Sequence, residues 1–155
     1  MPPPPKKTPS ASWQPAFWDT SAIIPLCCWQ PQTQSANRAY RLFPKMAVWW
    51  ATSVECYSAL QRLEREQYLT AQEKQQAQQT LRKFRALWTE IAPLEEIRDT
   101  AGRLLSQRDL RAADALQLAA ALVWCNSYPK GKTFIGGDRK LLAAALSEGF
   151  TVVRL

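Results

Sequence analysis

Four acidic residues, Asp19, Glu55, Asp114 and Asp138, stand where four separate chain segments can bring them together. Asp19 follows the apolar run Ala16-Phe17-Trp18, and Asp138 follows Thr133-Phe134-Ile135-Gly136-Gly137. Glu55 and Asp114 lie near the starts of two stretches with helical apolar spacing. Four carboxylates converging on one spot repel one another, so the quartet points to a cation. Hard oxygen ligands suit Mg2+ or Mn2+. Such an ion lowers the pKa of bound water, orients it in line and stabilises charge developing on a phosphodiester. Two ions about 3.5–4 Å apart could share these acids. Asp19, at a strand end, is the expected central ligand, with Asp114 next. Glu55 fits a ligand, a water-mediated contact or a positioner of the nucleophile, and Asp138 fits a second ion. Water attack of this kind leaves a 5′-phosphate and a 3′-hydroxyl. It needs no 2′-hydroxyl, so the acids do not choose RNA over DNA.

Taken singly, each acid also has a plain structural reading. Asp19 would be a strand-end cap, Glu55 a solvated first-turn charge, Asp114 a helix-start charge beside Arg111, and Asp138 an N-cap. These readings do not explain why all four occur together at strand ends. Thr20 and Ser21 are placed to orient Asp19 or to cap the helix that follows. Arg111, Arg139 and Lys140 flank the acids and suit either substrate phosphates or relief of repulsion. Trp49 and Trp50 read as core.

The acids need elements to hold them. A strand is expected over 16–19, and a short helix to residue 28, capped by Thr20 or Ser21, with Pro25 confined to its first turn. A helix follows over 32–43, then a buried strand over 46–51 and a helix over 54–66 capped by Thr52 or Ser53. Thr70 and Glu73 form a capping box for a helix running to about 88, which pairs with 54–66 as a protruding helical hairpin. Pro93 opens a helix to 107, and 111–125 is the most apolar helix. A strand over 133–136, a helix over 139–148 ended by Gly149, and a strand over 150–155 complete the body. Apolar strands alternating with helices predict an α/β fold, three layers deep, with a short central parallel sheet. Ligands of such sheets bind beyond the carboxyl ends of the strands, where these acids lie.

Composition sets bounds on the function. The 155 residues suffice for one domain with a real core, and 46% are apolar. Residues 1–15 hold prolines at 2, 3, 4, 5, 9 and 15, and read as a disordered arm before a domain over 16–155. The charge is +7, from 20 basic and 13 acidic residues, so an acidic pocket in a basic shell suits chemistry on a polyanion. Histidine is absent, which excludes histidine acid–base catalysis, serine–histidine triads and histidine-bound zinc. The four cysteines lack a C-x-x-C pair and read as reduced, small hydrophobes. No signal peptide stands at the start. The longest apolar stretch, 112–125, is shorter than the ~18 residues a membrane span needs. The chain therefore reads as soluble and cytoplasmic, without a membrane partner.

Four stretches, in order, resemble a known family. Phe17-Trp18-Asp19-Thr20-Ser21-Ala22 is similar to the opening of PIN-domain ribonucleases of the VapC toxin type. Trp49-Trp50-Ala51-Thr52-Ser53-Val54-Glu55-Cys56 looks like the second-acid segment. Residues 110–119 look like the third-acid helix, and Phe134-Ile135-Gly136-Gly137-Asp138-Arg139-Lys140-Leu141 like the fourth. The resemblance implies a Mg2+- or Mn2+-dependent ribonuclease, the toxin of a toxin–antitoxin pair, and a homodimer. It also implies a cognate antitoxin that blocks the acidic pocket. By the same resemblance Asp19, Glu55, Asp114 and Asp138 are the metal-site acids, and Thr20 or Ser21 is the hydroxyl beside the first. Many relatives have histidine after the third acid, where this chain has Gln117. That departure bears on packing or substrate contacts more than on metal binding. Other function classes remain open: a receiver-like phosphoacceptor, or a catalytically silent RNA- or partner-binding module. A haloacid-dehalogenase-like phosphatase would carry Asp two positions after the first acid, where Ser21 stands.

Overall fold

The computed structural model describes residues 14–155, so the expected proline-rich arm lies, but for its last two residues, outside the described residues. Five short strands form one wholly parallel sheet: β1 Ala16–Trp18, β2 Met46–Trp49, β3 Thr89–Ile91, β4 Thr133–Gly136 and β5 Thr151–Arg154. The strand order is β3-β2-β1-β4-β5. The three middle strands are buried along their whole length, which is why they read as unbroken apolar runs.

Side chains alternate across the sheet and feed two cores. Ala16, Trp18, Met46, Val48 and Ile135 point to one face. There they meet α1 (Thr20–Cys27), α2 (Thr33–Leu42), α3 (Thr52–Arg65) and α4 (Ala71–Arg85), which supply Ile23, Ala39, Leu60 and Leu81. Phe17, Ala47, Trp49 and Phe134 point to the other face. They meet α5 (Glu95–Gln107), α6 (Ala112–Trp124) and α7 (Arg139–Glu148), through Ile97, Leu104, Leu118 and Leu141. Phe17 stacks on Phe134 with ring centroids 5.1 Å apart, locking β1 to β4. The result is the expected three-layer α/β/α architecture. The α3–α4 pair contributes Leu60, Ala77 and Leu81 to the core and carries exposed Glu66, Gln67 and Tyr68 at its far end.

Several local expectations need correction. The helix predicted to run to 88 stops at Arg85, and an unforeseen edge strand, Thr89–Ile91, follows it. That strand is three residues long, with only Ile91 apolar, and at best half-buried, so it carries no readable alternating pattern. Asp19, not Thr20 or Ser21, caps α1, its carboxylate accepting from the Ala22 N–H. Pro25 lies beyond the first turn of α1. Ala51 occupies the N-cap of α3, so neither Thr52 nor Ser53 caps it. Strand β2 ends at Trp49, and Trp50 is half exposed rather than core. The capping box of Thr70 and Glu73 and the left-handed Gly149 at φ 112° both occur as expected.

The strand order explains where a site can form. From β1 the chain winds outward through β2 to β3, then returns across the sheet to β4 on the other side of β1. The winding therefore reverses between β1 and β4, and the crevice beyond their carboxyl ends is the natural ligand position. Asp19 follows β1, and Asp138 lies two residues after β4.

Candidate active site

All four acids line one cavity of about 460 Å3 at this crevice, together with Thr20, Ser21, Arg111 and Gln117. Each sits on a helix start: Asp19 and Asp138 are the N-caps of α1 and α7, and Glu55 and Asp114 lie in the first turns of α3 and α6. The positive ends of four helices thus converge on the same cavity.

Asp19 is the most constrained. It is 4% exposed, and its N–H donates to the Ile135 carbonyl at 3.1 Å, tying it to β4. Its Oδ1 accepts from the Ser21 hydroxyl at 2.6 Å and the Ala22 N–H at 3.2 Å, while Oδ2 accepts from none of the described residues. Ser21 Oγ in turn accepts from the Gly137 N–H at 2.7 Å. Burial pushes the Asp19 carboxyl up to about 7, with Asp114 and Glu55 adding repulsion against the relief given by Ser21 and Ala22. Burial likewise raises Asp114, helped by Asp138 and Glu55 and opposed by Arg111.

Close approach of β4 makes room for this carboxylate only because residue 136 is glycine. A Cβ there would lie 3.0–3.1 Å from all three atoms of the Asp19 carboxylate group. Held by two donors and buried, Asp19 cannot readily give way. Gly136→Ala is expected to displace it and to cut the rate of any reaction at this site tenfold or more, about 1.4 kcal/mol of transition-state stabilisation. Steady-state rates beside thermal melts check this.

Glu55 is held from two sides. Its Oε2 accepts from the Thr20 hydroxyl at 2.5 Å and from Gln117 Nε2 at 3.1 Å. The same Nε2 lies 3.0 Å from Thr20 Oγ1 and 2.8 Å from Thr52 Oγ1. Two N–H groups therefore serve three oxygens, and the carboxylate fixes which end of the amide faces it. Gln117 is 2% exposed, and its Oε1 is buried without a partner. Gln117 thus bonds directly to one of the four acids as well as filling buried space. Its signal was present in the sequence, as a polar residue one turn after Asp114 in the most apolar helix. Thr52 and Gly136 had no such signal.

Asp138 is exposed and spends Oδ1 on the Leu141 N–H at 2.8 Å. None of the four acids ion-pairs with a lysine or arginine among the described residues. Lys140 pairs with Asp109 instead. Nor, among the described residues, are three acidic or cysteine side chains gathered tightly enough to hold an ion directly. The acids share a cavity rather than a closed coordination shell: Thr20 and Gln117 hold Glu55 back, and Leu141 holds Asp138. All four cysteines are free, and burial pushes the Cys27 thiol up to about 12, far from a reactive thiolate. No helix among the described residues is long and apolar enough to cross a membrane.

No family model and no curated protein matches the chain. Solved structures do. A toxin–antitoxin complex from Klebsiella pneumoniae is 18% identical, with TM-score 0.64, over 90% of this chain and 99% of that one. VapBC2 from Rickettsia felis, bound to a DNA fragment from its promoter, is 13% identical, with TM-score 0.66, over 91% and 98%. VapC20 from Mycobacterium tuberculosis, a Sarcin-Ricin loop cleaving toxin, is 17% identical, with TM-score 0.62, over 90% and 99%. The fold of this chain is the one these structures share.

Proposed function

We propose that this chain is a PIN-domain ribonuclease of the VapC toxin type, which hydrolyses RNA phosphodiesters with a divalent cation and is held in check by a cognate antitoxin. The single observation that carries the reading is Asp19. A carboxylate buried at the sheet's switch point, raised to about 7 and facing three other acids, has no cationic side chain to neutralise it. Capping α1 accounts for one oxygen of this carboxylate; its burial beside Asp114 and Glu55, with the other oxygen accepting no bond from the described residues, suits a charge that arrives from outside.

The donor set is wholly oxygen, which suits Mg2+ or Mn2+. Magnesium keeps several waters and binds through one or two carboxylates, so an open cavity fits it better than a closed cage would. Asp19, through the oxygen that accepts no hydrogen bond, and Asp114 are the residues that would hold it, with Asp138 at the rim. A bound ion supplies Lewis acidity: it activates water and stabilises negative charge on the phosphoryl group.

The side chains do the positioning. Thr20 and Gln117 fix Oε2 of Glu55, which leaves Oε1 to accept a hydrogen bond from the attacking water. Ser21 and Ala22 fix Oδ1 of Asp19, so the carboxylate cannot rotate away. Arg111, on the cavity wall, offers positive charge to the substrate's phosphoryl oxygens. The water oxygen bonds to phosphorus and gives up one proton to solvent, the bond to the 3′-oxygen breaks, and that oxygen takes a proton from solvent. Products end in 5′-phosphate and 3′-hydroxyl. An antitoxin belongs to the same reading, supported by fold likeness to toxin–antitoxin complexes; a homodimer and a cytoplasmic setting belong to it by the family resemblance alone.

Incubation of the purified chain with cellular RNA tests this. Cleavage in Mg2+ or Mn2+ that stops in chelator is expected. Cleavage indifferent to chelator, or none with any divalent ion, would contradict it.

A further inference from the structure

We infer that the groove between α1 and α3 seats the nucleotide next to the scissile phosphate, with Arg62 anchoring that nucleotide's own phosphate. The identity of the ligand rests on the nuclease reading; the groove and its free cation do not.

Arg62 lies seven residues after Glu55 on α3, two turns and about 10 Å along the helix, on the same face. It lines the same cavity as the four acids. Its guanidinium makes no ion pair or hydrogen bond with any described residue, whereas Lys74 and Glu64 nearby neutralise each other. Arg62 and the four acids share one cavity without pairing to each other. A strand of phosphates accounts for both. One phosphate sits at the acids with the metal ion, and the next, too far to share that ion, reaches Arg62. Planar, five-donor guanidinium suits a phosphate well.

Between these ends the groove floor is apolar, made by Ile24, Pro25, Ala59 and Leu63, and the Gln30 and Gln32 side chains stand at its edge. Apolar surface under a sugar or base, with amides at the rim, is the composition expected for an unstacked nucleotide. A cavity of about 460 Å3 has room for one nucleotide, so single-stranded RNA is the ligand this groove suits. The chain's charge of +7 favours the same polyanion over an acidic or neutral small molecule.

The test is binding, kept separate from cleavage. A short fluorescein-labelled single-stranded RNA is titrated by anisotropy with the full chain in chelator, over a range of salt. Arg62→Gln is expected to weaken binding several-fold and to make the plot of log affinity against log salt shallower by about 0.7, one phosphate contact. Arg62→Lys should keep the parent slope. Arg98→Gln, on the outer helix α5 beside Glu95, should change neither. Arg62 is exposed, so these variants do not threaten the fold. An unchanged slope in Arg62→Gln, or no RNA binding by the parent, overturns the inference and leaves the groove to a protein partner. An Arg62-dependent slope in a chain that never cleaves RNA with metal would instead sink the nuclease reading and leave the anchor standing.

Discussion

Asp19→Asn is expected to lower RNA cleavage by about 10³-fold or more and, in chelator at pH 8, to raise the melting temperature. The two effects have one cause. In the folded chain burial holds the Asp19 carboxyl near 7, against 3.8 for the free side chain. The folded state therefore binds its proton more tightly than the unfolded state does. With no cation present, Asp19 burdens the fold least below about pH 4. The stability it allows then falls as pH rises to about 7, by on the order of 4 kcal/mol. Asparagine carries no charge at any pH, and its Oδ1 can still accept from Ser21 and Ala22. The variant should gain about 8–16 °C over the parent at pH 8 and little near pH 4. Magnesium should restore the parent more at pH 8 than at pH 5, because ion and proton compete for one group. Melts at the two pH values, with and without Mg2+, check this. A parent equally stable across that range in chelator would contradict it.

Gln117→Leu is expected to reduce cleavage by about 10–100-fold, because Glu55, the acid proposed to position the attacking water, loses a residue that orients it. The substitution removes one of the two donors on Glu55 Oε2 and the donor on Thr52, while Thr20 alone continues to hold the carboxylate. It also removes a buried oxygen that has no partner, which offsets part of the cost of leaving the buried Thr52 hydroxyl without its donor. A large loss of rate in a chain still folded at the assay temperature is the signature of positioning. Gln117→His, which can keep one N–H donor, should retain more activity than Leu. Gln117→Glu sets a carboxylate against Glu55 and should be worse than either.

Much of the site was legible in the sequence because each acid is marked by its local context. Asp19 and Asp138 stand at the ends of buried apolar runs, and Glu55 and Asp114 open apolar-periodic helices. Parallel strands connected by helices leave one edge where such residues meet. The four inner and outer apolar strands were readable for the same reason. Strand β3 was not, because three residues at a sheet edge, two of them polar, carry no hydrophobic period and are defined only by pairing with β2. At α1 the residues Asp19, Thr20 and Ser21 all have suitable side chains, and backbone geometry at the strand end selects Asp19, whereas α3 begins after Ala51, which has no capping side chain. Gly136 illustrates the limit best. Its role depends on Asp19 lying across a neighbouring strand, which no local pattern encodes. The pairing of Gln117 with Glu55 is long-range in the same way, 62 residues apart in sequence.

The chemistry of the cut ends tests the central claim most directly. Purified chain is incubated with a defined single-stranded RNA in Mg2+, and the termini are mapped by ligation and by phosphatase sensitivity. Metal-dependent hydrolysis at the acidic cavity predicts 5′-phosphate and 3′-hydroxyl ends, absent with chelator and absent with Asp19→Asn. Ends bearing a 2′,3′-cyclic phosphate, or 5′-phosphate ends formed equally well by Asp19→Asn, would contradict it.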